Sequence, residues 1–176
     1  LRSETDALLL CGGSSIPRDL TIEGRDLKGI HFAMDFLERN NKRIAGVIQD
    51  FSDFQLNGKR VVVIGGGDTG SDCIGTANRL GAAEVIQIEL LEKPGLHRTQ
   101  RDPWPNWPMI LRTSSSHEEG CDREWAMCTK RFISNDGIHL SGIEVVAVKW
   151  ILDGAGNLKM EEILDSAQTI PCDFVF

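Results

Sequence analysis

The strongest pattern of apolar positions in the chain is the run Val61-Val62-Val63-Ile64, which ends abruptly in glycine. An unbroken β-branched run of this kind suits a strand buried on both faces, and a strand is predicted over 60–64. Beyond it Cys73, Ile74, Ala77 and Leu80 recur three or four apart, which predicts a helix over about 69–80 with one apolar side. Gly81 supplies its stop. A second apolar stretch predicts a strand over 84–90. Strand, loop, helix and strand in this order form the right-handed crossover unit of a parallel sheet.

The flanks are less regular. Residues 6–10 read as a buried strand, followed by a Gly12-Gly13 turn and an extended linker through Pro17. Phe32, Phe36 and Leu37 at helical spacing predict a short amphipathic helix. From Leu91 to about Glu124 the Pro- and Trp-rich section predicts a long ordered loop with one helical turn. The stretch 125–164 alternates apolar and polar residues. It breaks at Asn135-Asp136-Gly137 and at Asp153-Gly154-Ala155-Gly156, the chemistry of hairpins in an antiparallel meander. The final "IPCDFVF" reads as a strand scarcely begun, as expected of a fragment excised from a longer protein.

Composition narrows the function classes. The chain has 176 residues, 41% of them apolar and 26% charged, which suits one globular domain. No apolar run is long enough for a membrane span, and "LRSETDALLLCGG" lacks the form of a secretory signal, so a cytoplasmic protein is expected. A net charge of -7 argues against a general nucleic-acid role. The five cysteines are scattered and form no C-x-x-C pair, so reduced, buried thiols are expected and no metal site.

Candidate chemistry centres on the loop after the first strand of the unit. Gly65-x-Gly67-x-x-Gly70 matches the dinucleotide fingerprint: the first glycine permits the turn, the second lets a pyrophosphate approach the backbone, and the third lets helix and strand pack closely. The helix N-terminus behind it offers free N–H groups to phosphates. Glu89, about twenty residues on at the end of the next strand, completes the required context. Asp68 is expected to cap the helix rather than face a phosphate, and Thr69 to offer its hydroxyl. Glu89 suits a free ribose 2′-hydroxyl, whereas Lys93, Arg98 and Arg101 suit a 2′-phosphate, so the cofactor preference stays open on the residues alone.

Several segments together resemble the small (beta) subunit of glutamate synthase and related NADPH-dependent oxidoreductases. They are "ALLLCGGSSIPRDLTIEG", "GIHFAMDFL", "VVVIGGGDTGSDCIGT", "IELL" and above all "RDPWPNWP" followed by "SHEE". Three serines, Ser114 to Ser116, stand where that family has an aromatic before "HEE". The resemblance implies a Rossmann-like α/β domain with a parallel sheet and an added antiparallel meander. It further implies a single NAD(P)-binding domain over 1–176, with 1–20 and 172–176 as junctions to an FAD domain outside the chain. The implied reaction is hydride transfer from NADPH, or NADH, to FAD for glutamate synthesis from glutamine and 2-oxoglutarate. The cofactors carry that chemistry, so no catalytic side chain is required here. FAD and an iron–sulfur cluster are expected only in the rest of the protein, so this chain alone should turn nothing over. Partners implied are the FAD domain and a glutamate synthase large subunit.

The residues nominated for the cofactor are Gly65, Gly66, Gly67, Asp68, Thr69, Gly70, Glu89, Leu90 and Arg98, with Cys11, Gly12 and Gly13 at the first junction. Arg98 is the nominated 2′-phosphate ligand, and NADPH the favoured donor. His117, Glu118 and Glu119 are assigned to a surface or interdomain role, since adjacent residues do not share a helix face. The competing reading is a non-catalytic nucleotide-binding or partner-docking module, in which the Trp-Pro segment is the docking surface; a methyltransferase would leave that segment and the meander unexplained.

Overall fold

The computed structural model describes residues 4–9, 12–13, 16–100, 102–154 and 157–176. Its centre is a four-stranded sheet in the order β3-β2-β1-β8, with every neighbouring pair parallel. The strands are β1 (Arg60–Ile64), β2 (Glu84–Ile88), β3 (Asp122–Glu124) and β8 (Phe174–Val175). Val62 lies opposite Ile86 on one side and Val175 on the other, so β1 is central and its apolar run is covered on both faces. Helix α2 (Asp68–Arg79) joins β1 to β2. It ends where Gly81 turns left-handed (φ 82), with the Gly81 N–H donating to Asn78 O and the Ala82 N–H to Ala77 O. Those two bonds satisfy carbonyls that the last turn would otherwise leave bare.

Two cores form, one on each face of the sheet. On the helical face, α1 (Ala33–Ile44) and α2 press Phe36, Ile74 and Ala77 onto Val61, Val63 and Phe174. Phe36 is fully buried, and its ring stacks on Phe176 at 4.1 Å between centroids. On the other face Val62, Ile88 and Val175 meet Met127, Phe132, Ile143 and Val145 of an antiparallel layer. The central strand of that layer is β5 (Gly142–Leu152). Its first half pairs with β4 (Met127–Ile133) and β7 (Gln168–Pro171), and its second half with β6 (Leu158–Glu162). The remaining helix, α3 (Ser115–Glu118), is one turn within the long connection between β2 and β3. Burial pushes the Cys73 and Cys172 thiols up to about 12, so both stay protonated. No helix of the described residues is long and apolar enough to cross a membrane.

The α/β class, the parallel unit and the antiparallel meander agree with the sequence reading; five details do not. Residues 6–9 form no strand and are exposed, Leu9 at 85%, while Leu10 lies outside the described residues. A strand needs a ladder partner, and the outer side of Val175 is already bridged by Ile30. The loop is shorter than predicted, because α2 begins at Asp68, and β2 ends at Ile88. Strand β3 was hidden in the irregular section: its three residues are all charged and carry no apolar signal. Asp68 does not cap α2; the N-cap is Gly67, and no side-chain cap bond is present. Asp68 instead stands in the first turn, where a carboxylate is favoured by the helix dipole.

Because Phe36 fills the centre of the helical core, Phe36→Ala should lower the unfolding free energy by about 3–5 kcal/mol in urea denaturation. Met34→Ala, at a site 57% exposed on the same helix, should change it by less than about 0.5 kcal/mol.

Candidate functional site

The loop between β1 and α2 shows a separate reason for each glycine of the motif. Gly65 sits at φ 111, a left-handed conformation that side-chain-bearing residues rarely adopt, and this turns the chain off β1. A Cβ on Gly70 would collide with the Gly65 carbonyl oxygen, so the helix can lie this close to the strand only without one. A Cβ on Gly67 would meet nothing within 4 Å. Space beside that backbone therefore stays open for something that is not part of the chain. The first N–H groups of α2 have no intrahelical acceptor and converge on the same side, which makes the spot favourable for an anion.

That open space belongs to a cleft of about 330 Å³ at the carboxyl ends of β1 and β2. Its floor is Gly66, Gly67 and Asp68; Glu89 stands at the end of β2, and Trp107, Met109 and Arg112 form the far wall. The Glu89 side chain lies over Gly66, where any Cβ would overlap its carboxylate. Half-buried there, the Glu89 carboxyl is raised above its ordinary value by burial, and the nearby Arg123 guanidinium partly opposes the shift. The far wall is a braced loop. Buried Asp102 accepts from the Thr99 N–H, the Thr99 hydroxyl (2.6 Å) and the Met109 N–H (2.8 Å), and these bonds hold its carboxyl below the usual range. Arg112 lies over the Trp107 ring at 4.6 Å, and Arg123 over Trp125 at 4.7 Å.

The back of the cleft is a polar network. Gln87, fully buried in β2, donates from Nε2 to the Gly65 carbonyl at 3.0 Å. Its Oε1 accepts from Arg123 Nε at 3.0 Å and faces His117 Nε2 at 3.2 Å. His117 Nδ1 faces the Ser114 backbone N–H at 3.1 Å, and the Ser114 hydroxyl meets that of Ser71 on α2. Burial first, and then Arg123, hold the His117 pKa below its ordinary value. A second, mostly apolar cleft of about 410 Å³ opens on the other side of the loop, lined in part by Ile64, Thr69 and Phe176.

Of the nominated residues, the fold brings Gly66, Gly67, Asp68 and Glu89 together at the first cleft, and Thr69 at the second. Gly65 and Gly70 shape the loop between them. Leu90 is turned elsewhere: its carbonyl accepts from Trp150 Nε1 at 3.1 Å, and Leu91 and Glu92 line the cleft instead. Arg98 is engaged within the braced loop, donating to the carbonyls of Asp102 and Asn106, both at 2.9 Å, and it is not in the cleft wall. Gly12 and Gly13 are exposed and line neither cleft. Cys11 and Arg101 lie outside the described residues. The sequence reading missed Gln87, Arg112, Ser114 and Arg123, and it gave His117 a surface or interdomain role. A polar Gln inside the apolar run of β2, and a Ser three before a His, were the available signals.

The model of the pyridine nucleotide-disulphide oxidoreductase family matches residues 2–176. The chain belongs to that family. It is 40% identical over 181 residues to a glutamate synthase (NADH) of Saccharomyces cerevisiae, a match covering 99% of this chain and 8% of the yeast protein. It is 43% identical over 141 residues to a glutamate synthase (NADPH) small chain of Mycobacterium tuberculosis, covering 78% of this chain and 29% of that one. The chain thus spans a minor part of each relative. Among solved structures, Mycobacterium tuberculosis FprA in complex with NADPH superposes with a TM-score of 0.58 at 16% identity, over 90% of this chain and 46% of that one. At that identity the likeness speaks for the fold alone.

The two glycines should respond oppositely to a single methyl group. Gly70→Ala forces the helix off the Gly65 carbonyl and should cost about 1–3 kcal/mol. Gly67→Ala enters open space at a backbone conformation any residue adopts (φ -74, ψ 177), and should cost less than about 1 kcal/mol. Thermal melts of the two variants test the contrast.

Proposed function

We propose that residues 1–176 are the nicotinamide-dinucleotide-binding domain of a glutamate-synthase-type flavoprotein, joined through segments 1–20 and 172–176 to an FAD domain. In that reading the whole protein makes glutamate from glutamine and 2-oxoglutarate, with a large subunit as partner or fused segment. The observation carrying the proposal is the open space at Gly67, at the head of α2 and beside a carboxylate at the end of β2. The residues fit the group: a pyrophosphate at Gly67 would meet free N–H donors and open space, with the Glu89 side chain over the neighbouring Gly66. Glu89, Trp107 and Arg112 would hold the adenosine half, and Thr69 with the apolar cleft beyond it the nicotinamide half. The bound nicotinamide supplies the hydride; this chain orients it, and the apolar wall of Ile64 and Phe176 keeps water from that end.

The geometry favours NADH over the NADPH that the resemblance suggested. Glu89 faces the cleft with an acceptor suited to a ribose 2′-hydroxyl, and Arg98, the expected phosphate ligand, is held by loop carbonyls. The NADPH reading retains one supporting observation, the Arg112 side chain in the cleft wall.

Titration calorimetry of the full-length protein tests this. NADH should bind more tightly than NADPH, and Glu89→Gln should narrow that ratio by about fivefold, the worth of one partly solvated charge. Arg98→Ala should shift both affinities alike. The pH dependence has a definite sign. Glu89 repels a 2′-phosphate only when ionised, and its carboxyl is raised by burial. The preference for NADH should therefore be full above that raised pKa, shrink as pH falls through it, and be flat in Glu89→Gln. Failure of both nucleotides to bind refutes the reading; a native preference for NADPH, abolished by Arg112→Ala, transfers the role to Arg112.

A further inference from the structure

The buried amide of Gln87 has only one orientation that satisfies its neighbours. The Ser114 backbone N–H can only donate, so His117 Nδ1 must accept and the imidazole proton must sit on Nε2. That proton donates to Gln87 Oε1, as does Arg123 Nε. Two donors on Oε1 leave Nε2 for the Gly65 carbonyl, where it is found at 3.0 Å. A flipped amide would set N–H against N–H twice and oxygen against oxygen once. Burial keeps the imidazole neutral and so keeps Nδ1 an acceptor.

The receiving peptide is one that sterics alone do not fix. Gly65 has φ 111, and glycine is free to swing the peptide that follows it. Since a trans peptide is planar with its N–H opposite its C=O, holding the Gly65 oxygen toward Gln87 aims the Gly66 N–H the other way. Gly66 lines the cleft.

We propose that Gln87, itself held by His117 and Arg123, is the positioning residue of the phosphate loop: it locks the Gly65–Gly66 peptide so that the Gly66 N–H is presented to the pyrophosphate of a dinucleotide. The role of "SHEE" follows from this. His117 orients Gln87 from one side, Ser114 orients His117, and the contact of Ser114 with Ser71 ties the arrangement to α2. The proposal rests on the dinucleotide reading and adds that the binding loop is preset from β2 before ligand arrives.

The test uses the full-length protein and two probes, ADP-ribose, which carries the pyrophosphate, and adenosine, which does not. Gln87→Glu keeps the acceptor for Arg123 and His117, removes the donor to Gly65 and adds a charge, so the uncharged His117 variants separate positioning from repulsion. At pH 8 it should weaken ADP-ribose and raise the KM for the nicotinamide cofactor by about tenfold, the worth of one charge-assisted hydrogen bond. Affinity for adenosine and kcat at saturation should stay unchanged. His117→Gln, whose amide can place an N–H where the imidazole had one, should retain ADP-ribose binding, and His117→Leu should lose several-fold. The His117 pair carries the test alone if Gln87→Glu does not fold. An ADP-ribose affinity within about twofold of wild type in folded Gln87→Glu, or equal losses for both probes, overturns the positioning role. Equal affinities in the two His117 variants overturn it as well. Wild-type protein that binds neither ADP-ribose nor NADH overturns the dinucleotide reading itself, a result distinct from either.

Discussion

Everything at this site depends on how closely α2 approaches β1. The Gly65 carbonyl and the Gly70 backbone touch with no side chain between them, and that contact sets the head of the helix directly over the end of the strand. The unpaired N–H groups of the first turn then face the cleft at the carboxyl ends of the parallel strands, on the side where β2 neighbours β1. The carboxyl end of the strands is where open parallel sheets bind ligands. A larger residue at Gly70 would move the helix and scatter those donors, and one at Gly65 would strain the φ 111 turn off β1.

Local charge at the cleft differs from that of the chain as a whole. The net charge is -7, and the cleft carries both signs: Arg112 and Arg123 with the helix dipole on one hand, Asp68, Glu89 and Glu92 on the other, Glu89 being the carboxylate that reaches over the glycine loop. Arg123 is stacked on Trp125, bonded to Gln87 and donating to the Arg112 carbonyl at 3.0 Å, so it acts as a fixed part of the wall. Its position also moderates the cost of half-burying Glu89. The Glu89 carboxylate and the two guanidiniums thus stand in one cleft, with the carboxylate over Gly66.

The parts legible in the sequence were those fixed by local rules. The β-branched run, the glycine spacing and the Gly81 stop each specify geometry over a few residues, and β1, α2 and the loop follow them. Residues whose roles come from tertiary partners were not legible. Nothing around Arg98 announces that its guanidinium will bind the carbonyls of Asp102 and Asn106 rather than face a cleft. Strand β3 has no apolar pattern because its backbone, more than its side chains, is what β2 uses. His117 lies thirty positions beyond Gln87 in sequence and beside it in space, and only the return of the chain to form β3 brings them together.

The antiparallel layer is more than a cover for the second face of the sheet. Where the chain leaves β2, the Glu89 N–H donates to Glu124, the Met127 N–H to Glu89, the Ala126 N–H to Leu91, and the Trp150 indole to Leu90. Ala126 adopts a left-handed backbone, φ 55, to make its turn into β4, a conformation costly for a residue with a side chain and held here by bonds on both sides of its peptide. Residues 89–91 are thus gripped from β3, β4 and β5 at once. Glu89 and Leu91 face the cleft from that gripped segment. The meander, which has no counterpart in a bare nucleotide-binding unit, fixes the Glu89 end of the cleft from behind, as Gln87 holds the Gly65 end.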